Sequence, residues 1–278
     1  MTMAGEDWSG RVGQTWATQW ERTDRTFAPL TERLVATAVA RFPVGSDRRM
    51  RALDIGCGAG ETALALADAR PDIDVTGLDL SEDLVAVAQG RVEGRFNCRF
   101  VAGDASAWTG ETPFDAALSR HGVMFFADPV AAFAHLRGLM APGAPLVFSC
   151  FRDRTFNPWS SIALSLLPAP PPPSDPHAPG PFAFADPARV AAILEAAGWR
   201  DVEPTEVDYR YVAGAGDDPV EDAISLFSRI GPAAPLIAAL PDEERAAFKV
   251  RFAEVLSGHA RNGEVGFPAA AWLWQARA

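Results

Sequence analysis

Lysine is almost missing from this sequence. The only one in 278 residues is Lys249, set in a charged helical stretch, so chemistry through a buried lysine such as a Schiff base is disfavoured. Tyrosine is nearly as scarce, with only Tyr209 and Tyr211, far along the chain. The three cysteines, Cys57, Cys98 and Cys150, are an odd number without metal-ligand spacing. Each falls in or beside an expected strand and reads as a small buried hydrophobe, which fits a reduced, cytoplasmic protein. Positive charge is also short. Lys and Arg total 25 against 36 Asp and Glu, a net charge of −11, and there is no basic stripe. Nucleic acid and anionic membrane surfaces are therefore poor partners. No apolar run is long enough to span a bilayer, and the opening MTMAGEDWSG is polar and acidic, unlike a signal peptide.

What the chain does have is enough apolar content, 48%, to bury a real core. Two helical pieces are expected over 8–41, with Trp16 and Trp20 on one face. Strand and helix signals then alternate: strand 51–55, helix 61–69, strand 74–78 and a helix to 91 capped by Ser81. Strands follow at 97–102 and 114–119, then a helix opened by Asp128-Pro129 and a strand over 145–151. Such alternation means a parallel sheet with helices on both faces and right-handed crossovers. A short apolar segment, 160–167, leads into PAPPPPSDPHAPGPF, whose prolines exclude helix and central strand and suggest a stiff, exposed excursion. Asp186-Pro187 then opens a helix closed by Gly198. A strand over 202–212, a helical insert over 217–260 and a last strand in FPAAAWLWQARA complete the chain. We expect one domain over 1–278: an N-terminal helical cap (1–44), a binding core (45–151), a Pro-rich lid (152–184) and a C-terminal half (185–278).

The most informative run is LDIGCGAG, 53–60. A strand enters it, a helix leaves it, and glycines stand at 56, 58 and 60. Glycine is needed where a strand turns sharply into a helix and main chain lies against a ligand. Asp79 ends the next apolar run, where a carboxylate would meet ribose hydroxyls. The dinucleotide fingerprint G-x-G-x-x-G, read from Gly56, needs glycine at 61, where Glu61 stands. The actual pattern, D-x-G-x-G-x-G from Asp54, resembles motif I of the class I S-adenosylmethionine (SAM)-dependent methyltransferases. With SRHGVMFFADP and the C-terminal helix–strand pair, the chain looks most like their ubiquinone/menaquinone-biosynthesis-type group. The resemblance covers 45–150 most clearly.

The resemblance implies a Rossmann-like α/β fold with a seven-stranded sheet, order 3-2-1-4-5-7-6, the last strand antiparallel. It implies SAM as donor and S-adenosylhomocysteine as product, with the methyl passed by in-line displacement to a small apolar or aromatic metabolite. The protein would be a monomer or homodimer without metal. Main chain at Gly56, Cys57, Gly58 and Gly60 would line the methionine tail and ribose. Asp54 would sit near the tail ammonium, or else cap the turn or the next helix. Asp79 would take the ribose hydroxyls, Leu80 would flank the adenine, and Asp104 with Ala105 would meet its edge. Ser119 would touch the tail through its backbone. Arg120 would pair with a carboxylate of cofactor or substrate, or else form a surface ion pair. His121 could take a proton from the acceptor, or simply bond its own turn. Trp16, Trp20, Met124, Phe151 and Trp159 would wall the acceptor, and Arg152 or Arg154 could bind an acidic substrate if not merely solvated.

Two other classes compete. A nicotinamide-dependent reductase would need the absent glycine and usually a tyrosine–lysine pair, which Lys249 does not supply. A non-catalytic SAM- or nucleotide-binding regulator would bind tightly and turn nothing over. Arsenite methylation would need thiolates at the mouth, and metal-dependent catechol methylation would need ligands beyond Asp128.

Overall fold

The computed structural model describes residues 8–44, 48–110, 113–168 and 175–278. The chain opens with α1 (Arg11–Thr18) and α2 (Trp20–Arg41). It continues as β1 (Met50–Ile55), α3 (Glu61–Ala69), β2 (Ile73–Asp79), α4 (Glu82–Gly90), β3 (Cys98–Ala102) and β4 (Ala116–Arg120). Next come α5 (Pro129–Gly138), β5 (Pro145–Phe151), the short α6 (Trp159–Ile162), α7 (Pro187–Ala196) and β6 (Arg200–Ala215). The insert holds α8 (Pro219–Phe227), α9 (Ala234–Ala238) and α10 (Asp242–Ser257); β7 (Ala260–Arg261) and β8 (Glu264–Arg277) follow.

The expected caps form. Ser81 accepts from Leu84 N at 3.3 Å, Asp128 from Ala131 N at 3.0 Å and Asp186 from Ala188 N at 2.9 Å. Gly198, at φ +87°, closes α7. Phe114 does not begin β4; it makes an isolated bridge to Met140.

The strands lie in the order β3-β2-β1-β4-β5-β8-β6, with β7 paired to β8. Setting aside that two-residue β7, this is the expected order 3-2-1-4-5-7-6. β1 to β5 pair parallel, and β8 runs antiparallel between β5 and β6. One apolar core packs α2, α3 and α4 against the sheet, and a second joins α5, α7 and the C-terminal insert.

One feature exceeds expectation. β6 is 16 residues long and β8 is 14, and Ala271 of β8 already faces Phe151 at the end of β5. The β6–β8 ladder continues from Val207 to Ala215, beyond the carboxyl end of β5. Ligands of such sheets lie beyond that end, so the overshoot makes a wall beside the ligand position. α2 leans on it: Thr26 Oγ1 donates to Val212 O at 2.9 Å and an Arg25 guanidinium nitrogen to Ala213 O at 3.2 Å. Residues 169–174 of the proline run lie outside the described residues, but Gly180 N donates to Met124 O at 3.2 Å, setting the end of that excursion on the turn after β4. Among the described residues no helix is long and apolar enough to cross a membrane.

Candidate active site

The three glycines of the elbow have positive φ, +65°, +54° and +89°, but for different reasons. A Cβ at Gly56 would stand 2.9 Å from the Gly122 Cα, so this glycine lets the turns after β1 and β4 cross. A Cβ at Gly60 would stand 2.6 Å from the Phe100 ring, so internal packing alone requires glycine there. At Gly58 nothing lies within 4 Å of a Cβ. Its backbone alone is bent toward open space. The Cys57 side chain is buried in the core, as expected of a small hydrophobe there, and burial pushes its thiol pKa well up. Only its main chain belongs to the elbow, with Cys57 N donating to Leu78 O at 3.1 Å.

Asp79 staples the elbow. Oδ2 accepts from Gly58 N at 2.8 Å and Oδ1 from Ser81 N at 2.9 Å. Burial pushes its carboxyl pKa up, and those backbone donors pull it back. Each oxygen keeps a free lone pair. Leu80 beside it is half-buried.

Asp54 is enclosed completely, at 0% exposure, and neither carboxylate oxygen has a hydrogen-bond partner. The Ala63 N–H approaches without reaching hydrogen-bond geometry. No side chain caps α3, so the capping alternative for Asp54 is not realised. Burial raises its pKa to about 7, with Arg120 pulling it down and Asp79 pushing it up. A charge so placed is normally paired. Asp104 is exposed after β3, where Oδ1 accepts from Ser106 N at 2.8 Å and Ser106 Oγ at 2.7 Å; the half-buried Ala105 follows.

The corner after β4 differs more. Ser119 is fully buried; its Oγ donates to Ile55 O at 2.6 Å and accepts from Gly122 N at 3.3 Å, tying β4 to β1. Arg120 is not free for a ligand carboxylate, which corrects that expectation. Its guanidinium pairs with Glu61, donates to Thr31 Oγ1 at 2.7 Å, lies 3.9 Å from Asp24 and sits over Phe27 at 5.3 Å. Asp24 in turn pairs with Arg91, which also donates to Ala59 O of the elbow at 2.6 Å. This ionic knot straps α2 to the elbow. Burial, with Glu61 nearby, raises the Asp24 pKa to about 7.

His121 stands at φ +60°, a strained value for a residue with a side chain. Its N–H donates to Ser149 O at 3.2 Å, Nδ1 lies 3.5 Å from Ser149 Oγ, and Nε2 has no partner. Burial, then Arg120, lower its pKa to about 3, so the ring is neutral at physiological pH and a weak base. It stacks on Phe151 at 4.0 Å.

Phe151 and Trp159, 3% and 5% exposed, belong to one buried aromatic stack. It includes Phe27 and Phe182, and Trp159 lies 4.6 Å from Tyr211 on the overshooting wall. Met124 is 2% exposed and is core, contributing its carbonyl oxygen to Gly180. Trp16 and Trp20 do not share a face, because the helix breaks at Gln19. Trp16 packs on Trp8, which meets Phe125 after β4. Trp20 lies under Arg91 at 4.0 Å, away from the acceptor wall. α1 itself crosses the mouth: a Cβ at Gly13 would stand 2.2 Å from Ser81 Oγ. Phe27, Tyr211, Asp24 and Arg91 were not singled out from sequence, since their roles come from contacts with no local signal.

Residues 52–143 match the family model described as "Methyltransferase domain". The chain is 27% identical over 234 residues to a trans-aconitate 2-methyltransferase of Methylobacterium radiotolerans, covering 81% of this chain and 84% of that one. It is 30% identical over 128 residues to a malonyl-[acyl-carrier protein] O-methyltransferase of Paenibacillus sp., covering 44% of this chain; the match spans about half of that relative, 46%. Among solved structures, the [4+2]-cyclase SpnF superposes with a TM-score of 0.57 at 18% identity, over 99% of this chain and 97% of that one. That last likeness is one of fold alone.

Proposed function

We propose that the chain is a class I SAM-dependent methyltransferase that passes a methyl group from that cofactor to a small-molecule acceptor entering between the turns after β4 and β5. The observation that carries this reading is Asp54, an enclosed carboxylate with both oxygens unbonded, next to an elbow whose Gly58 faces open space. Such a carboxylate lacks a cation, and the cofactor's ammonium is one. When bound, the cofactor supplies a methyl group already activated on a sulfonium.

The chain's own residues then have few tasks. Asp54 holds the ammonium, and main chain at Gly56, Cys57 and Gly58 lies along the tail and ribose. Asp79 takes the ribose hydroxyls on its remaining lone pairs, Leu80 flanks the adenine, and Asp104 and Ala105 meet the adenine edge. Ser119 contributes only backbone. Phe151 and Trp159 shape the acceptor pocket and exclude water, and α1 covers the mouth. Neutral His121 orients the acceptor through Nε2 rather than acting as a strong base. The two relatives' names point to acidic acceptors, trans-aconitate and malonyl, and the aromatic stack suits an unsaturated or aromatic body.

Calorimetry with SAM, S-adenosylhomocysteine and NADPH, followed by S-adenosylhomocysteine formation over an acceptor panel, tests this. Binding of the first two and turnover of at least one acceptor is expected. Failure to bind either ends the proposal, and tight binding with no turnover favours a regulator instead.

A further inference from the structure

The first described stretch of the chain crosses the elbow from one strand tip to another. Gly13 of α1 packs on the turn after β2, where a Cβ would stand 2.2 Å from both Ser81 Oγ and the Trp8 carbonyl oxygen. The Trp8 ring lies edge-on to Phe125, in the turn after β4, at 5.0 Å, and meets Trp16 of α1 at 5.5 Å. β1 lies between β2 and β4 in the sheet, so this arch passes over the strand tip that carries Asp54 and leads into Gly58. The indole sits at the β4 end of the arch, while Asp79 stands at the β2 end.

Trp8 Nε1 is buried, and no described residue accepts its hydrogen. An indole N–H is a donor only, so its partner must bring an acceptor. An unmet buried donor is a cost to the free protein that a ligand acceptor removes. The cofactor proposed above has an anion still to be matched: its methionine tail ends in a carboxylate beside the ammonium assigned to Asp54. The arginines bonded at the elbow are engaged with the protein itself. Arg120 holds Glu61 and Thr31, and Arg91 holds Asp24 and Ala59 O. A neutral donor suits this place, because a further cation would compete with the ammonium for Asp54.

We propose that Trp8 is a cofactor-binding residue, its Nε1–H donating to the carboxylate of the methionine tail while α1 closes over that tail. This rests on the methyltransferase reading above and adds a residue to its cofactor site. Asp54 and Trp8 then divide the zwitterion between them, one taking the ammonium and the other the carboxylate. Phe125 and Trp16 already hold the indole, so little side-chain freedom is lost on binding. A hydrogen bond to a charged acceptor is also stronger than one to a neutral acceptor.

The test is calorimetry on the full chain with S-adenosylhomocysteine and two analogues. One is its decarboxylated form, which keeps the ammonium; the other is methylthioadenosine, which has no tail. The wild type binds S-adenosylhomocysteine at least about tenfold more tightly than the decarboxylated form, the range of one charge-assisted bond. Trp8→Phe keeps a ring against Phe125 and removes the N–H. It cuts that preference about tenfold through weaker S-adenosylhomocysteine binding, and it leaves the affinities for both analogues as they were. A tryptophan that only packs would lower all three affinities in step, or none, and either result overturns the inference. So does a wild type that binds the decarboxylated form as tightly as S-adenosylhomocysteine. In each of these cases S-adenosylhomocysteine still binds, and the methyltransferase reading stands. A wild type that binds neither SAM nor S-adenosylhomocysteine removes both.

Discussion

Replacing Asp54 by asparagine separates the cost of an enclosed carboxylate from its use. The carboxyl pKa rises from 3.8 to about 7 on folding. Each unit is worth about 1.4 kcal/mol, so ionised Asp54 costs the cofactor-free fold up to about 4 kcal/mol. The penalty is absent below the unfolded pKa of 3.8, grows as pH rises toward 7 and is complete above it. Asn cannot ionise, but its buried amide gives back about 1–3 kcal/mol in unmet hydrogen bonds. Asp54→Asn is therefore expected to stabilise the cofactor-free protein by about 1–3 kcal/mol at pH 8 and not at pH 4. Urea unfolding at the two pH values measures this. Asp24 titrates in the same range, and the difference between variant and wild type cancels its share.

Binding should move the opposite way. An ammonium beside Asp54 favours the ionised form, so wild-type SAM affinity falls about tenfold per pH unit below 7 and one proton leaves on binding. Calorimetry in buffers of different ionisation enthalpy counts that proton. Asp54→Asn should lose roughly thirtyfold or more in affinity and most of the pH dependence. An affinity flat from pH 5.5 to 8 in the wild type, or an Asn variant that binds as tightly, refutes the assignment of Asp54 to a cationic ligand group.

The elbow makes a paired prediction. Gly58→Ala should fold with a loss of about 1–2 kcal/mol and bind SAM far more weakly, while Gly60→Ala should chiefly lower the melting temperature through Phe100; equal effects on binding would contradict the division of roles. Asp79→Ala should cut SAM affinity by at least about a hundredfold, since it frees Gly58 N and Ser81 N as well as the ribose hydroxyls, and affinity within a factor of a few of wild type rules out its role. His121→Ala should lower turnover more than SAM affinity, and unchanged turnover leaves it structural.

How far these residues could be read in advance followed from how local their causes are. Ser81, Asp128 and Asp186 cap helices through bonds to residues two or three positions on, so their type and position suffice. The strand order needed only the alternation of elements and the family pattern. Asp54 and Asp79 could be named because a strand tip above a glycine turn is a fixed place in the fold. The partners of Arg120 could not. Thr31 stands 89 positions away and Glu61 59, and nothing near Arg120 distinguishes a ligand's carboxylate from the protein's own. The Trp16–Trp20 face failed for a smaller reason, since one non-helical residue, Gln19, turns the second ring away.

The glycines carry the argument furthest. As letters, Gly56, Gly58 and Gly60 are equivalent, and all three have positive φ. What separates them is the neighbour a Cβ would meet: backbone at 56, an aromatic ring at 60 and nothing at 58. Two of the three are required by the protein whether or not a ligand exists. Only Gly58 meets no neighbour where a Cβ would stand, and near it the Asp54 carboxylate has no hydrogen-bond partner. Around the elbow, Arg120, Glu61, Asp24 and Arg91 are bound to one another and Asp79 is held by backbone donors, so Asp54 is the charged group left without a bond, and a cation is what it lacks.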